Sequence, residues 1–246
     1  MAQTKIEWTE RVWNPLTGCT RIGQGCVNCY AERMSKRLQA MGRPEYQGTV
    51  NAKGKWTGEI KLHYDRLDQP YRWKKPSRIF VNSMSDLFHE KVSKQFIEQV
   101  FGAMKDCSWH TFQVLTKRYN RPPYILGGTV SPHIWLGYSI CNQADADNAR
   151  EHLHLLATMG WNTWISYEPA LEQIDWTGYE FVKWLVCGGE SGPGARPMHP
   201  DWARSVRDWA TLNRIPFYFK QWGGVSKKQA GRVLDGQLWD EYPTES

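Results

Sequence analysis

Arg78-Ile-Phe-Val81, followed at once by Asn82-Ser-Met-Ser-Asp86, is the stretch from which the fold is read. Four residues rich in branched and aromatic side chains suit a short strand, and the polar run ends it. Ser93 then stands as an N-cap, and Phe96, Ile97, Val100, Phe101 and Met104 recur at helical spacing. One strand, a polar strand end and one amphipathic helix make a unit, and the chain repeats it. Thr111-Phe-Gln-Val-Leu115 ends in Thr116-Lys117-Arg118, and Pro122-Pro123 leave only a short or irregular connection after it. Ile134 to Ile140 is the next strand. Asn142 caps a helix with Ala146, Ala149, Leu153 and Leu156 on one face. Asn162 to Tyr167 ends in Glu168-Pro169, and Trp184 to Cys187 ends in Gly188-Gly189-Glu190-Ser191-Gly192. Pro200 starts a helix carrying Trp202, Val206, Trp209 and Ala210, and Ile215 to Phe219 ends in Lys220-Gln221.

Strands alternating with helices imply parallel pairing through crossover helices. About six such strands follow residue 77. The choice lies between a (β/α) barrel, full or partial, and an open doubly wound sheet. Nearly every apolar strand ends in a polar cluster, which favours the TIM-barrel-like α/β form, and no Gly-x-Gly-x-x-Gly follows a strand. The expected organisation is one barrel-like domain over residues 1–224 with a C-terminal tail, 225–246. An insertion rich in Gly, Pro, Lys and Tyr occupies about 42–77, after the first βα unit. Within it Trp56 to Leu62 reads as a short strand and Tyr64 to Trp73 as a short helix. Trp135, Trp164 and Trp184 each open a strand and are expected to seal the bottom of the barrel.

Ahead of the rhythm lies Cys19-Thr-Arg-Ile-Gly-Gln-Gly-Cys26-Val-Asn-Cys29-Tyr30. Three thiols in eleven residues, among Gly18, Gly23 and Gly25, suit a loop wrapping a soft metal or an iron–sulfur cluster. A closed structural zinc site takes four protein ligands, so three leave a coordination position open for chemistry. The loop feeds a helix over 30–41 with Met34, Leu38 and Met41 on one face among Arg33, Lys36 and Arg37. The other cysteines, Cys107, Cys141 and Cys187, sit in apolar surroundings and read as small buried hydrophobes.

The 246 residues are 41% hydrophobic and 23% charged, a globular composition, with net charge +6. That mild basicity is compatible with a nucleotide or nucleic-acid partner. No apolar run approaches the ~20 residues needed to span a bilayer, and residues 1–10 lack an apolar signal core. A cytoplasmic protein without membrane attachment is expected, and clustered cysteines in a chain with ample core favour metal over disulfides.

Ligands of parallel α/β folds bind at the C-terminal strand ends. Collecting those ends yields Asn82, Ser83, Ser85, Asp86, Thr116, Lys117, Arg118, Ser139, Glu168, Gly188, Gly189, Glu190, Ser191, Lys220 and Gln221. Each has an ordinary reading, as a turn, a cap or a solvated end. The set, beside the cysteine loop, suits a polar cofactor and substrate. His89 follows one of these ends and is a candidate fourth ligand or proton carrier.

A three-cysteine loop at the start of a (β/α) barrel with a later Gly-Gly-Glu resembles the radical S-adenosylmethionine superfamily. The resemblance implies a [4Fe-4S] cluster on Cys19, Cys26 and Cys29, with S-adenosylmethionine on the open iron. Reductive cleavage of the sulfonium to a 5′-deoxyadenosyl radical and an electron-donor partner follow from it. It places cofactor contacts at Gly188, Gly189 and Glu190; from the strand-end set, Ser83, Asp86 and Thr116 are expected to join them, with Lys117, Glu168 and Lys220 as catalytic groups. The substrate is a small molecule or nucleic acid, with a nucleotide or nucleic-acid base favoured. More closely, the chain is similar to a family of phage-borne and bacterial proteins. The shared stretches are Trp13 to Cys19, Cys26 to Glu32, Val81 to His89, Leu115 to Arg118 and Cys187 to Gly192. It departs from the superfamily in three ways. Six residues separate the first two cysteines where three are usual, Asn28 replaces the aromatic before the third, and Gly-Gly-Glu comes late. The alternative is a non-catalytic, zinc-stabilised, nucleic-acid-binding module of phage origin, its zinc held by the same cysteines and a fourth ligand such as His89.

Overall fold

In the computed structural model, which describes residue 4 and residues 6–127 and 130–243, seven parallel strands form one sheet in strict chain order. They are β1 (Arg11–Trp13), β2 (Arg78–Val81), β3 (Thr111–Thr116), β4 (Ile134–Ser139), β5 (Asn162–Tyr167), β6 (Leu185–Gly188) and β7 (Phe217–Gln221). Sequential order with right-handed crossovers curls a sheet toward a barrel. Here β1 and β7 stay the two ends of the order, so the α/β fold is a partial, TIM-barrel-like half-barrel. The six strands expected after residue 77 are present. The seventh, β1, pairs Arg11, Val12 and Trp13 with Ile79, Phe80 and Val81. Three residues opening on a charge carry too little periodicity to announce a strand; the ladder with β2 creates it.

Helices α1 (Tyr30–Ala40), α2 (Lys94–Asp106), α3 (Arg121–Ile125), α4 (Gln143–Thr158) and α5 (Pro200–Leu212) cover the outside. Ser93 Oγ accepts from Phe96 N at 3.2 Å and Asn142 Oδ1 from Asp145 N at 2.8 Å, the caps expected of those residues. Phe96, Ile97, Val100, Phe101 and Met104 of α2 are buried, as are Ala146, Ala149, Leu153 and Leu156 of α4. They pack on strand residues of one parity, including Ile79, Val81, Phe112, Val114, Leu136 and Ile165.

The opposite parity points into the half-barrel. Phe80, Trp164, Trp184, Val186 and Tyr218 join Trp8 in a separate buried cluster, with Leu115 and Trp135 against it. Trp164 and Trp184 therefore plug the N-terminal end of the half-barrel, and Trp8 from the lead-in packs edge-on against Phe80, Trp164 and Trp184. Above this plug the same inward parity continues into the polar strand ends.

The stretch after α1 contains little regular structure. Lys61–Leu62 pairs antiparallel with Leu16–Thr17, and short turns follow at Tyr64–Arg66 and Gln69–Arg72. The strand expected from Trp56 shrinks to two residues. Along the tail, Phe219 N donates to Trp239 O at 2.8 Å and Glu241 N to Phe217 O at 3.2 Å, so the chain covers the β7 edge. The end of the tail, 244–246, and residues 1–3 and 5 of the lead-in lie outside the described residues. Among the described residues no helix is long and apolar enough to cross a membrane.

Candidate functional site

The cysteine loop closes over the C-terminal mouth of the half-barrel. Gly18 brings the chain in with φ +93°, its α-carbon pressed against the Glu59 carbonyl, where any side chain would collide. Gly25 rests on the Cys141 thiol just as closely. Below the loop lies a cavity of about 620 Å³. Cys19, Cys26 and Cys29 line it, together with Ser83, Asp86, Thr116, Lys117, Glu168, Gly189, Glu190 and Lys220. Of the candidate residues Gly188 and His89 are not at the wall; Gly188 sits in β6 behind it. A methyl group there would meet Glu168 Oε1 at 2.8 Å, so Gly188 makes room for that side chain.

Two latches hold the loop. The first is on the β2–β3 side. Asp86 is buried and accepts from Thr116 Oγ1 at 2.7 and 2.9 Å, from Lys117 N at 3.2 Å and from Arg118 Nη1 at 2.9 Å. Arg118, only 4% exposed, donates through Nη2 to Thr20 Oγ1 at 2.8 Å and through Nη1 toward Cys19 Sγ at 3.9 Å. Its Nε also reaches Glu90 at 2.9 Å. The second latch is on the β6 side. Glu190 accepts from Asn28 Nδ2 at 2.8 Å and from Arg196 N and Nε at 2.9 and 3.0 Å. Arg196 Nη2 reaches back to Gln24 O at 2.9 Å. Burial pushes the Glu190 carboxyl up, but the bonds from Arg196 and Asn28 outweigh it and leave the pKa below the usual carboxylate value. Glu190 thus holds the loop through Asn28 in this arrangement. Gly189 packs against the Trp222 carbonyl too tightly for any side chain, so backbone approach between neighbouring strands requires this glycine.

The three thiols share one electrostatic environment. Burial drives Cys19 up to about 12, with further upward pushes from Asp86 and from Cys29 and Cys26, while Arg118 pulls down. Burial also raises Cys29, with Cys26 adding to it. Bringing three thiolates together here is unfavourable unless positive charge sits among them, which is what a metal cluster supplies. Among the described residues no three His, Cys, Asp or Glu side chains converge on one point as a single ion needs. A cluster binds its cysteines at separate irons and needs no such point. His89 has both ring nitrogens engaged, Nε2 with Thr20 Oγ1 at 3.0 Å and Nδ1 with Lys91 N at 3.2 Å.

Deeper in the cavity Lys220 Nζ and Glu168 Oε1 form an ion pair at 2.9 Å, and Ser166 Oγ donates to Glu168 Oε2 at 3.1 Å. Lys117 Nζ donates to Ser139 Oγ and stands 3.6 Å from Cys141 Sγ. Burial lowers the Lys117 pKa, but Cys141 and Cys26 outweigh it and leave the ammonium favoured. Ser83 donates to Asn14 Oδ1 at 3.3 Å and its carbonyl accepts from Tyr30 OH at 2.8 Å. Cys107, Cys141 and Cys187 are buried, as their surroundings implied, but Cys141 lies directly beneath the loop. Asn28, Arg33 and Arg196 were not among the candidates. Arg33 Nη2 donates to Ser191 O at 2.7 Å, a contact across 158 residues of chain that no local pattern announces. Asn82 holds φ +64° at the end of β2, a left-handed angle that Asn tolerates, and its buried amide finds no partner among the described residues.

A family model described as "Protein of unknown function (DUF5131)" matches residues 3–243. No curated protein matches the sequence. Among solved structures, the fold is similar to two variants of spore photoproduct lyase. A cysteine-to-serine mutant gives a TM-score of 0.55 at 12% identity, covering 89% of this chain and 78% of that one. A tyrosine-to-phenylalanine mutant gives 0.54 at 11% identity, covering 90% and 78%. At such identities the likeness is one of fold.

Proposed function

The chain belongs to the DUF5131 family, and we propose that it is a radical S-adenosylmethionine-type enzyme acting on a nucleotide or nucleic-acid base. The observation that carries this is the meeting of Cys19, Cys26 and Cys29 with six strand ends around one cavity at the C-terminal mouth of a parallel half-barrel. The fold likeness to spore photoproduct lyase, a radical S-adenosylmethionine enzyme, supports it. The three cysteines would hold a [4Fe-4S] cluster, and the wall from Ser83 and Asp86 through Thr116 to Gly189 and Glu190, backed by Gly188, would seat S-adenosylmethionine. When bound, that pair supplies reductive cleavage of the sulfonium.

The chain's own residues orient and shield. The tryptophan plug closes the N-terminal end of the half-barrel to water. Arg118 and Asn28 hold the two arms of the cysteine loop in place. Lys117, Glu168 and Lys220 would contact substrate, with Lys220 Nζ 2.9 Å from Glu168 Oε1. An external electron donor is part of the proposal. The zinc-module reading is weakened by the engaged ring of His89 and by the lack, among the described residues, of a converging ligand set.

Purification without oxygen, followed by iron, sulfide and zinc analysis, tests the assignment. About four irons and four sulfides per chain, with a visible spectrum perturbed by S-adenosylmethionine, is the expected result. Cys26→Ala should lose S-adenosylmethionine cleavage while remaining folded. Colourless protein with about one zinc per chain would overturn the reading.

A further inference from the structure

Helix α1 turns an apolar line toward solvent. Its buried residues are Ala31, Glu32 and Ser35, whereas Tyr30, Met34 and Met41 are 46%, 38% and 59% exposed. Of the expected face of Met34, Leu38 and Met41, the two methionines point outward, and Leu38 is half-buried against Ala31, Tyr46 and Met84. Tyr30, Met34, Arg37 and Met41 stand at i, i+4, i+7 and i+11, a single row running away from the cavity. Tyr30 and Met34 line the cavity lip, and Ile22 of the cysteine loop and Trp56 of the insertion join them there.

The charge of the protein is concentrated on the same ground. From Cys19 to Lys61 the sequence carries eight Lys and Arg against three Glu, a net of +5 where the whole chain has +6. Glu32 is taken by Arg21 and Lys55, and Glu45 by Arg66. Lys36, Arg37, Arg43 and Lys53 are exposed. A row of apolar side chains rimmed by cations and leading into a cavity needs a partner that is anionic along its length and presents flat apolar groups.

We infer that α1 and the insertion dock a single-stranded nucleic acid, with phosphates along Lys36, Arg37, Arg43 and Lys53. Its bases lie against Met34 and Tyr30, and one base turns into the cavity. This rests on the cavity being the substrate site. A duplex hides its base faces and cannot use the apolar row. A polymer with its backbone on the rim can send a single base inward, as base-directed enzymes require.

The test is fluorescence anisotropy of a fluorescein-labelled, mixed-sequence single-stranded DNA of about 20 nucleotides, titrated with the purified full chain across a salt series. Four neutralised phosphates predict a slope of log affinity on log salt of about −2.8. Arg37→Glu/Lys53→Glu should lose at least about tenfold in affinity and flatten the slope by about 1.4. Lys74→Glu/Lys75→Glu makes the same charge change ahead of β2, at the opposite end of the half-barrel, and should leave binding within about threefold. Equal loss in both variants, duplex binding as tight as single-strand binding, or capture of an acidic flavodoxin with no oligonucleotide binding would each overturn the inference. Iron and sulfide are assayed on the same samples. Intact DNA binding by a cluster-free wild type would sink the cluster reading and leave the docking face standing.

Discussion

Arg118→Leu is the substitution that probes the site's construction most directly. The guanidinium is 4% exposed and its partner Asp86 is equally enclosed, at 6%. Losing the arginine leaves the Asp86 carboxylate buried with hydroxyl and amide donors but no positive charge. Removing one member of a buried pair costs about 3–5 kcal/mol, because the survivor's desolvation is no longer offset. The Glu90 contact adds little, since that side chain is largely exposed and such pairs are worth about 0–1 kcal/mol. Stability should therefore fall by about 3–5 kcal/mol, a large share of the ~5–15 kcal/mol typical of a folded protein. Guanidinium denaturation followed by far-UV circular dichroism reads this, with Glu90→Gln as the control expected to cost under about 1 kcal/mol. Adding Asp86→Asn to Arg118→Leu should recover part of the loss, since the orphaned charge is gone. Iron loading should fall as well, because Thr20 and Cys19 lose their tether. An Arg118→Leu protein within about 1 kcal/mol of wild type would refute the argument that this pair holds the loop.

Glu190 carries a pH prediction. Its folded pKa lies below the unfolded value of 4.5, so its stabilising contribution is complete above that value and is lost as pH falls through the folded pKa. Thermal midpoints measured from pH 7 down to 3.5 should fall less steeply in Glu190→Gln than in wild type, and parallel curves would count against the latch. Gly189→Ala drives a methyl group into the Trp222 carbonyl and should cost more than about 2 kcal/mol by denaturation, unlike Gly102→Ala in α2, where a methyl group meets open space at an ordinary backbone angle. Gly188→Ala should instead spare stability and lower activity, because the atom it meets is the end of the Glu168 side chain. Iron analysis after anaerobic reconstitution should show Cys26→Ser depleted and Cys107→Ser loaded like wild type, since Cys107 is buried against the helix layer, away from the cavity.

Much of the architecture was legible because it is local. The runs at Phe96–Met104 and Ala146–Leu156 have one apolar face each, and the strands after residue 77 are short apolar segments between polar punctuation. Trp164 and Trp184 could be read as a plug because strand parity places them on one face with the strand-end residues Glu168 and Gly188, four positions further along. Less legible were features that exist only across distance. β1 is three residues long and is a strand because β2 lies beside it. Of the α1 face that periodicity marks as apolar, Leu38 packs inward but Met34 and Met41 are exposed, since the small residues Ala31 and Ser35 are what fit against the body. Asn28 and Glu190 are bonded across 162 residues, so neither could be assigned a partner from its neighbours in the chain.

From its own pattern, then, the chain determined a run of parallel βα units, a loop of three thiols, and a set of polar residues at strand ends, because periodicity and residue type act over a few residues. Tertiary structure alone decided that the sheet stays an open half-barrel and that Arg118 and Asn28 tie the loop down. It also decided that Glu190 faces an arginine and that α1 offers its methionines to solvent. Those outcomes depend on which distant surfaces meet when the sheet curls. A buried charge or an exposed apolar row is defined by what lies opposite it in space, and no stretch of sequence contains its own opposite wall.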